Sequence, residues 1–175
     1  MKKLLFLLVL LLTVSTCHAK IQDNRFAVGG VYPGMPISKL IELCGQPYDQ
    51  RVEPNGIKHY SYFKCPPDAM RAGAPGLLVL INKDNIVHSV IYDEECPKKL
   101  STPDDVTVGV IPDDILKVYG TPDEVLPPIK GQSGYLYKSE SAPTEEKNMR
   151  FSISDGRIVG IYITYTSPQK WGRLK

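Results

Sequence analysis

Apolar residues recur at Ile37, Leu40, Ile41 and Cys44, the i, i+3, i+4, i+7 spacing that lines one face of a short helix. Pro36 suits the first turn of that helix, where no backbone donor is needed. Gly45 fits the left-handed position past its end, and Pro47 prevents continuation. A second helix with the same punctuation is predicted at about Pro112 to Tyr119, followed by Gly120 and Pro122. Asp113 and Asp114 stand in its first turn, where they favour the positive end of the helix dipole, so they read as helix-start residues rather than as a catalytic pair. A tyrosine-bearing strand is predicted at Ile57 to Cys65 and another at Gly134 to Ser139. Each precedes a hairpin, Leu77 to Asn82 with Ile86 to Asp93, and Met149 to Ser154 with Arg157 to Tyr165. The turns are Lys83-Asp84-Asn85 and Asp155-Gly156, the latter a strong hairpin signal. Alternation turns Leu77, Val79 and Ile81, with Met149, Phe151 and Ile153, toward the helices. Leu78 and Leu80, with Arg150 and Ser152, then fall on the outer face, wetter in the second hairpin.

The two sets of elements align. Gly34, Gly45 and Pro47 fall on Gly109, Gly120 and Pro122, and Tyr60 and Tyr62 on Tyr135 and Tyr137, all at one offset of 75. Beyond loops of unequal length, Asn82 to Val87 match Ser154 to Val159 at an offset of 72. The predicted fold is therefore α+β, with two tandem repeats. Each is a short helix or helical pair packed on a three-stranded antiparallel sheet. The first repeat spans residues 20–96 and the second 107–175, with the polar, proline-bearing segment Pro97 to Val106 as connector. The shared glycines and prolines are assigned to the fold. Differences between the copies, at Leu78/Arg150, Leu80/Ser152 and His88/Gly160, mark where specific recognition is expected.

Residues 1–19 read as a secretory signal: Lys2 and Lys3, an apolar run from Leu4 to Leu12, then Cys17-His18-Ala19 before a cut ahead of Lys20. That run is too short to span a bilayer, which takes about 20 residues. In an alternative reading, Val14-Ser15-Thr16-Cys17 is a lipobox and Cys17 carries a lipid anchor. Export follows either way, to the periplasm or beyond. Loss of Lys2 and Lys3 takes Lys and Arg from 21 to 19, level with 19 Asp and Glu. A neutral chain argues against nucleic acid, which selects a basic stripe. In an oxidising compartment Cys44, Cys65 and Cys96 allow one disulfide, with Cys65–Cys96 preferred and Cys44–Cys65 the alternative. With His59 and His88 they lack Cys-x-x-Cys or His-x3-His spacing, so no metal and no cofactor are expected.

The order of helix, Gly-x-Pro, aromatic strand and hairpin resembles the SmpA/OmlA (BamE-like) envelope lipoprotein module. Gly34-Met35, Gly45-Gln46-Pro47, Gly109 and Gly120-Thr121-Pro122 carry the likeness. Pro36, Val110 and Ile111 depart from that module's usual residues. Two such modules in one chain resemble the beta-lactamase inhibitory protein (BLIP-like) architecture, and the likeness spans most of residues 28–165. It implies a scaffold for protein contacts without chemistry of its own.

Tyr60, Tyr62, Tyr135 and Tyr137 occupy equivalent strand positions, suited either to an interface or to covering the sheet. Arg150 and Tyr162 are the outer-face contact candidates, and Trp171 in Ser167 to Lys175 is a candidate tail anchor. No Gly-x-Ser-x-Gly, His-Glu-x-x-His, Walker or dinucleotide motif occurs, and no catalytic residue is assigned. The expected function is an exported non-catalytic protein-binding module, either an envelope-assembly component or a secreted inhibitor. Its partner would be another envelope or extracellular protein. The alternatives are a periplasmic small-ligand binder or hydrolase using the inter-repeat cleft, and a structural lipoprotein anchored through Cys17.

Overall fold

A computed structural model describes residues 21–64, 75–140 and 146–166. The predicted signal with Cys17, then Cys65, and the tail with Trp171 lie outside the described residues. Helix α1 spans Ile37–Cys44, with Leu40 fully buried. Helix α2 spans Pro112–Tyr119 and buries Ile115 and Tyr119. Each ends on a glycine, Gly45 or Gly120, whose N–H closes the last turn on Ile41 O or Leu116 O. Their φ values, 77° and 72°, are ones a side chain disfavours.

The expected pair of three-stranded α+β repeats is not what forms. The described residues are mostly β, one antiparallel sheet of eight strands in the order β1-β2-β3-β4-β8-β7-β6-β5 with two eight-residue helices. The strands are β1 (Asp49–Val52), β2 (Lys58–Lys64), β3 (Pro75–Ile81), β4 (Val87–Asp93), β5 (Glu124–Ile129), β6 (Gln132–Lys138), β7 (Glu146–Ser154) and β8 (Arg157–Thr166). Two features made the difference. β1 and β5 each add an outer strand, and β4 pairs with β8 from Ser89↔Thr164 to Asp93↔Gly160, joining what would have been two sheet edges. Fusing those edges removes two rows of unpaired donors and acceptors. The outer edges that remain are protected differently. β1 is only four residues long, and β5 carries Pro127-Pro128 and a register break between Leu126 and Ile129.

One face of this sheet holds the core. Tyr60, Val79, Val90, Ile163, Met149 and Tyr137 form a single cross-strand row over six strands, each at most 9 % exposed. Both helices cover that face, and so do segments on which no helix or strand was expected. Ile21, Phe26, Val28 and Val31 of the N-terminal stretch are buried in it, and Ile21 bridges Ser139. The segment expected as a polar connector is folded in too: Leu100, Thr102 and Val106 are buried, as is Thr107 just after it, and Leu100 N donates to Tyr92 Oη. A clasp joins the two segments. Arg25 Nε donates to both carboxylate oxygens of Asp104 at 2.8–2.9 Å, its guanidinium lies 4.9 Å over the Tyr119 ring, and Tyr119 Oη donates to Thr102.

Within the hairpins the two halves share a register break. In β4 His88 is the extra residue between Leu80↔Ser89 and Ile81↔Val87, and in β8 Val159 occupies that place between Ser152↔Gly160 and Ile153↔Ile158. Ser89, not His88, is thus the counterpart of Gly160. The cause is the turn. Asp155 and Gly156 have φ of 48° and 71° and close a two-residue turn, whereas the first hairpin runs through Lys83 to Asn85 and Asn82 Oδ1 accepts from the Asp84 and Ile86 amides.

Candidate functional site

The helices, the N-terminal stretch and residues 100–107 pack on one face of the sheet; among the described residues the opposite face carries no helix, although Ser61, Ser89, Asp93 and Ser152 are buried on it. Its central row reads Ser61, Leu78, Ile91, Tyr162, Arg150, Leu136 across β2, β3, β4, β8, β7 and β6. Leu78, Ile91, Tyr162 and Leu136 stay half-buried there, and Arg150 is exposed. In the next row Asp93, Gly160, Ser152 and Gly134 are aligned. The small residues are a bed for the larger pair. A Cβ on Gly160 would stand 2.8 Å from the Tyr162 ring, so the ring lies back across that glycine. A Cβ on Gly134 would stand 2.7 Å from Phe151 O of the neighbouring strand, and in ordinary contact, at 3.6 Å, with Arg150 Nε. Arg150 Cζ is 5.7 Å from the Tyr162 ring centroid, within cation–π range.

Two recesses lined by described residues flank the sheet. One, of about 180 Å³, adjoins Tyr162 and is walled by Asp93, Glu94, Glu95, Asp155 and Arg157, with Arg157 Nη1 donating to Gly109 O at 2.9 Å. The other, about 270 Å³, is lined by Pro33, Ile86, His88, Lys147 and Tyr165, where β4, β8 and β7 meet the N-terminal segment. Lys147 Nζ is 3.1 Å from Asp23 Oδ2. Burial pushes the His88 imidazole below its usual range, partly opposed by a hydrogen bond to the Tyr165 backbone. His88 Nδ1 is 2.7 Å from Ser89 Oγ, a contact with the form of a nucleophile–base pair, but Ser89 is 2 % exposed and offers a substrate no approach.

The candidate tyrosines divide by face. Tyr60, Tyr62 and Tyr137 are buried beneath the helices, and Tyr135 is half-buried in a row of that same face. Tyr62 Oη donates to Gly45 O at 3.4 Å and Tyr137 Oη to Gly120 O at 3.0 Å, so in each half a strand tyrosine holds the end of a helix. Tyr137 also packs with Tyr119 and edge-on to Phe151. Burial raises the Tyr62 phenol to about 12 and those of Tyr119 and Tyr137 as well. Of the sequence candidates, Arg150 and Tyr162 are brought together on the open face. What sequence reasoning missed is the role of Gly134 and Gly160. The signal was there, since glycine inside a strand pattern marks a close approach.

Cys44 and Cys96 are free, and burial raises both thiols, which disfavours the thiolate. They are not joined to each other, and the preferred partner of Cys96, Cys65, lies outside the described residues. His59 Nε2 is 2.8 Å from Glu53 Oε1. Among the described residues no three His, Cys, Asp or Glu side chains are grouped to hold a metal ion, and no helix is long and apolar enough to cross a membrane. No protein-family model, curated protein or solved structure matches this chain.

Proposed function

We propose that this chain is an exported, non-catalytic protein-binding domain that docks its partner on the open face of the sheet. The observation that carries the reading is the pairing of Arg150 with Tyr162 over Gly134 and Gly160, amid the half-buried Leu78, Ile91 and Leu136. Aromatic and arginine side chains surrounded by apolar residues are the composition of interface centres. Eight strands at about 4.8 Å spacing give a face roughly 34 Å wide, the scale of an ordinary protein–protein contact. The signal-like leader and the Gly-Met and Gly-x-Pro motifs support an envelope or extracellular setting. Mass analysis of the mature N-terminus tests that part: a Lys20 start means plain secretion, a lipidated Cys17 start means an anchor, and a retained leader refutes export. Docking is tested by retention of a partner on the purified protein. Ile91→Glu on the open face abolishes it, while Leu43→Glu on α1, at a side chain 52 % exposed, leaves it intact. Equal loss or equal retention by the two variants would refute the reading.

A second reading has one observation in its favour. The recess at His88, Lys147 and Tyr165 gathers polar side chains from three strands around about 270 Å³, enough for a small polar ligand. Native mass spectrometry decides it, because a bound small molecule lost on Lys147→Gln and His88→Gln would favour a carrier, and a bare protein would not.

A further inference from the structure

We infer that Arg150 is the receptor for a carboxylate that the partner protein presents within an otherwise apolar contact; the inference rests on the docking reading above and names the partner's chemistry at that site. Arg150 is exposed on β7, next to the central β4–β8 pair, and among the described residues its guanidinium interacts with the Tyr162 ring. Its cross-strand neighbours, Tyr162 on β8 and Leu136 on β6, carry no charge. The next acid in the same row, Glu124, pairs with Leu136 two strands away, at roughly 9.6 Å for that strand spacing. Among the described residues no carboxylate forms an ion pair with this guanidinium.

Docking changes its situation. Any partner that covers Leu78, Ile91 and Leu136 also removes water from Arg150, and a desolvated guanidinium without an acceptor is strongly unfavourable. Arginine presents five donors in a planar fork, which a carboxylate meets with two parallel hydrogen bonds. The Tyr162 ring, which lies back on Gly160, already offers the guanidinium a flat surface at 5.7 Å before binding. The partner that fits is a protein segment with an Asp or Glu side chain flanked by apolar residues. A phosphorylated segment or a neutral apolar one would dock with different selectivity.

The test is selection of a displayed random 12-residue peptide library on the purified protein, followed by affinity measurement for one selected peptide and its version with Glu or Asp replaced by Gln or Asn. The expected result is recurrence of one acidic position between apolar residues. Amide replacement should weaken binding about tenfold or more, Arg150→Gln should cause the same loss, and the two should not add. Arg150→Lys should recover only part of it, since the charge remains without the fork. Gly160→Ala, which displaces the Tyr162 ring, should weaken the acidic peptide more than its amide version. Peptides that lose binding on Ile91→Glu yet show no acid preference, or ignore Arg150→Gln, would overturn the carboxylate assignment and leave the docking face standing. Peptides indifferent to Ile91→Glu, or no binder at all, would overturn the docking reading itself.

Discussion

Ile161 sits in β8, fully buried, with Tyr92 of β4 on one side and Phe151 of β7 on the other. It thus stands where the two halves of the sheet are joined, and Ile161→Ala tests whether they share one core. The substitution removes three carbons, about 2.4 kcal/mol of transfer free energy at roughly 0.8 kcal/mol per methylene. The cavity left between two aromatic rings adds to that, and buried Ile-to-Ala changes cost about 2–5 kcal/mol in all. At about 2–4 °C per kcal/mol for a chain of this size, Tm falls by roughly 6–16 °C for the 3–4 kcal/mol expected. Urea unfolding should be followed by far-UV circular dichroism and by tyrosine fluorescence, with hydrogen exchange read separately over residues 37–64 and 112–138. A shared core gives coincident transitions and the same loss of protection in both halves. Protection lost only from residues 107–166, with the first half unchanged, would refute the argument and restore two independent units. Val125→Ala, at a side chain 65 % exposed, is the control and should change stability by less than about 0.5 kcal/mol.

Tyr137→Phe should destabilise by about 0.5–1.5 kcal/mol through loss of the 3.0 Å bond to Gly120 O, and Tyr62→Phe by less because its bond to Gly45 O is 3.4 Å; urea midpoints at equal m measure both. The His88 imidazole is held below its unfolded value of about 6.5, so the unfolded chain binds the extra proton first. Its contribution is full above pH 6.5 and is lost as pH falls below that, and His88→Gln should flatten the stability profile there. Tyr62, Tyr119 and Tyr137 shift the other way: their phenols are raised by burial, so stability holds below about pH 10 and declines above it as unfolded tyrosines ionise. A share of phenolate absorbance that appears only together with unfolding would match, whereas full tyrosine ionisation in the folded protein would not. Gly160→Ala should leave the fold intact, since the Cβ meets only the movable end of the Tyr162 ring. Loss of the native circular dichroism spectrum in that variant would contradict the close-approach explanation.

The helices were legible because each carries a full stop. Pro36 with Gly45, and Pro112 with Gly120, bracket apolar stripes that form helices Ile37–Cys44 and Pro112–Tyr119. The hairpins were legible from alternation, and Leu77, Val79, Ile81, Met149 and Phe151 are all buried as that pattern requires. β1 was not legible: all four of its residues are exposed, so it has no apolar period. β5 hid behind Pro127-Pro128, which reads as a loop and is tolerated because an edge strand need not donate on both sides. The joining of β4 to β8 left no local signal at all, because antiparallel pairing between distant segments is fixed by matching apolar faces rather than by a turn. Connector residues Leu100, Thr102 and Val106 are separated by polar neighbours, and their burial follows from tertiary hydrogen bonds such as Thr107 Oγ1 to Leu100 O. Tyr60, Tyr62 and Tyr137 fitted both a contact role and a core role in sequence. The face they share with Val79 and Val90 settles where they lie.

The central claim is that the open face of the sheet meets a protein. It is tested most directly by photo-cross-linking in intact cells, with a benzoylphenylalanine placed in turn at Leu78, Ile91 and Leu136 and, on the opposite side, at Leu43 and Val118. One discrete cross-linked protein is expected from the open-face positions, lost when Arg150→Gln is added, and none from Leu43 or Val118. Cross-links to that protein from Leu43 or Val118, with none from Leu78, Ile91 or Leu136, would contradict it.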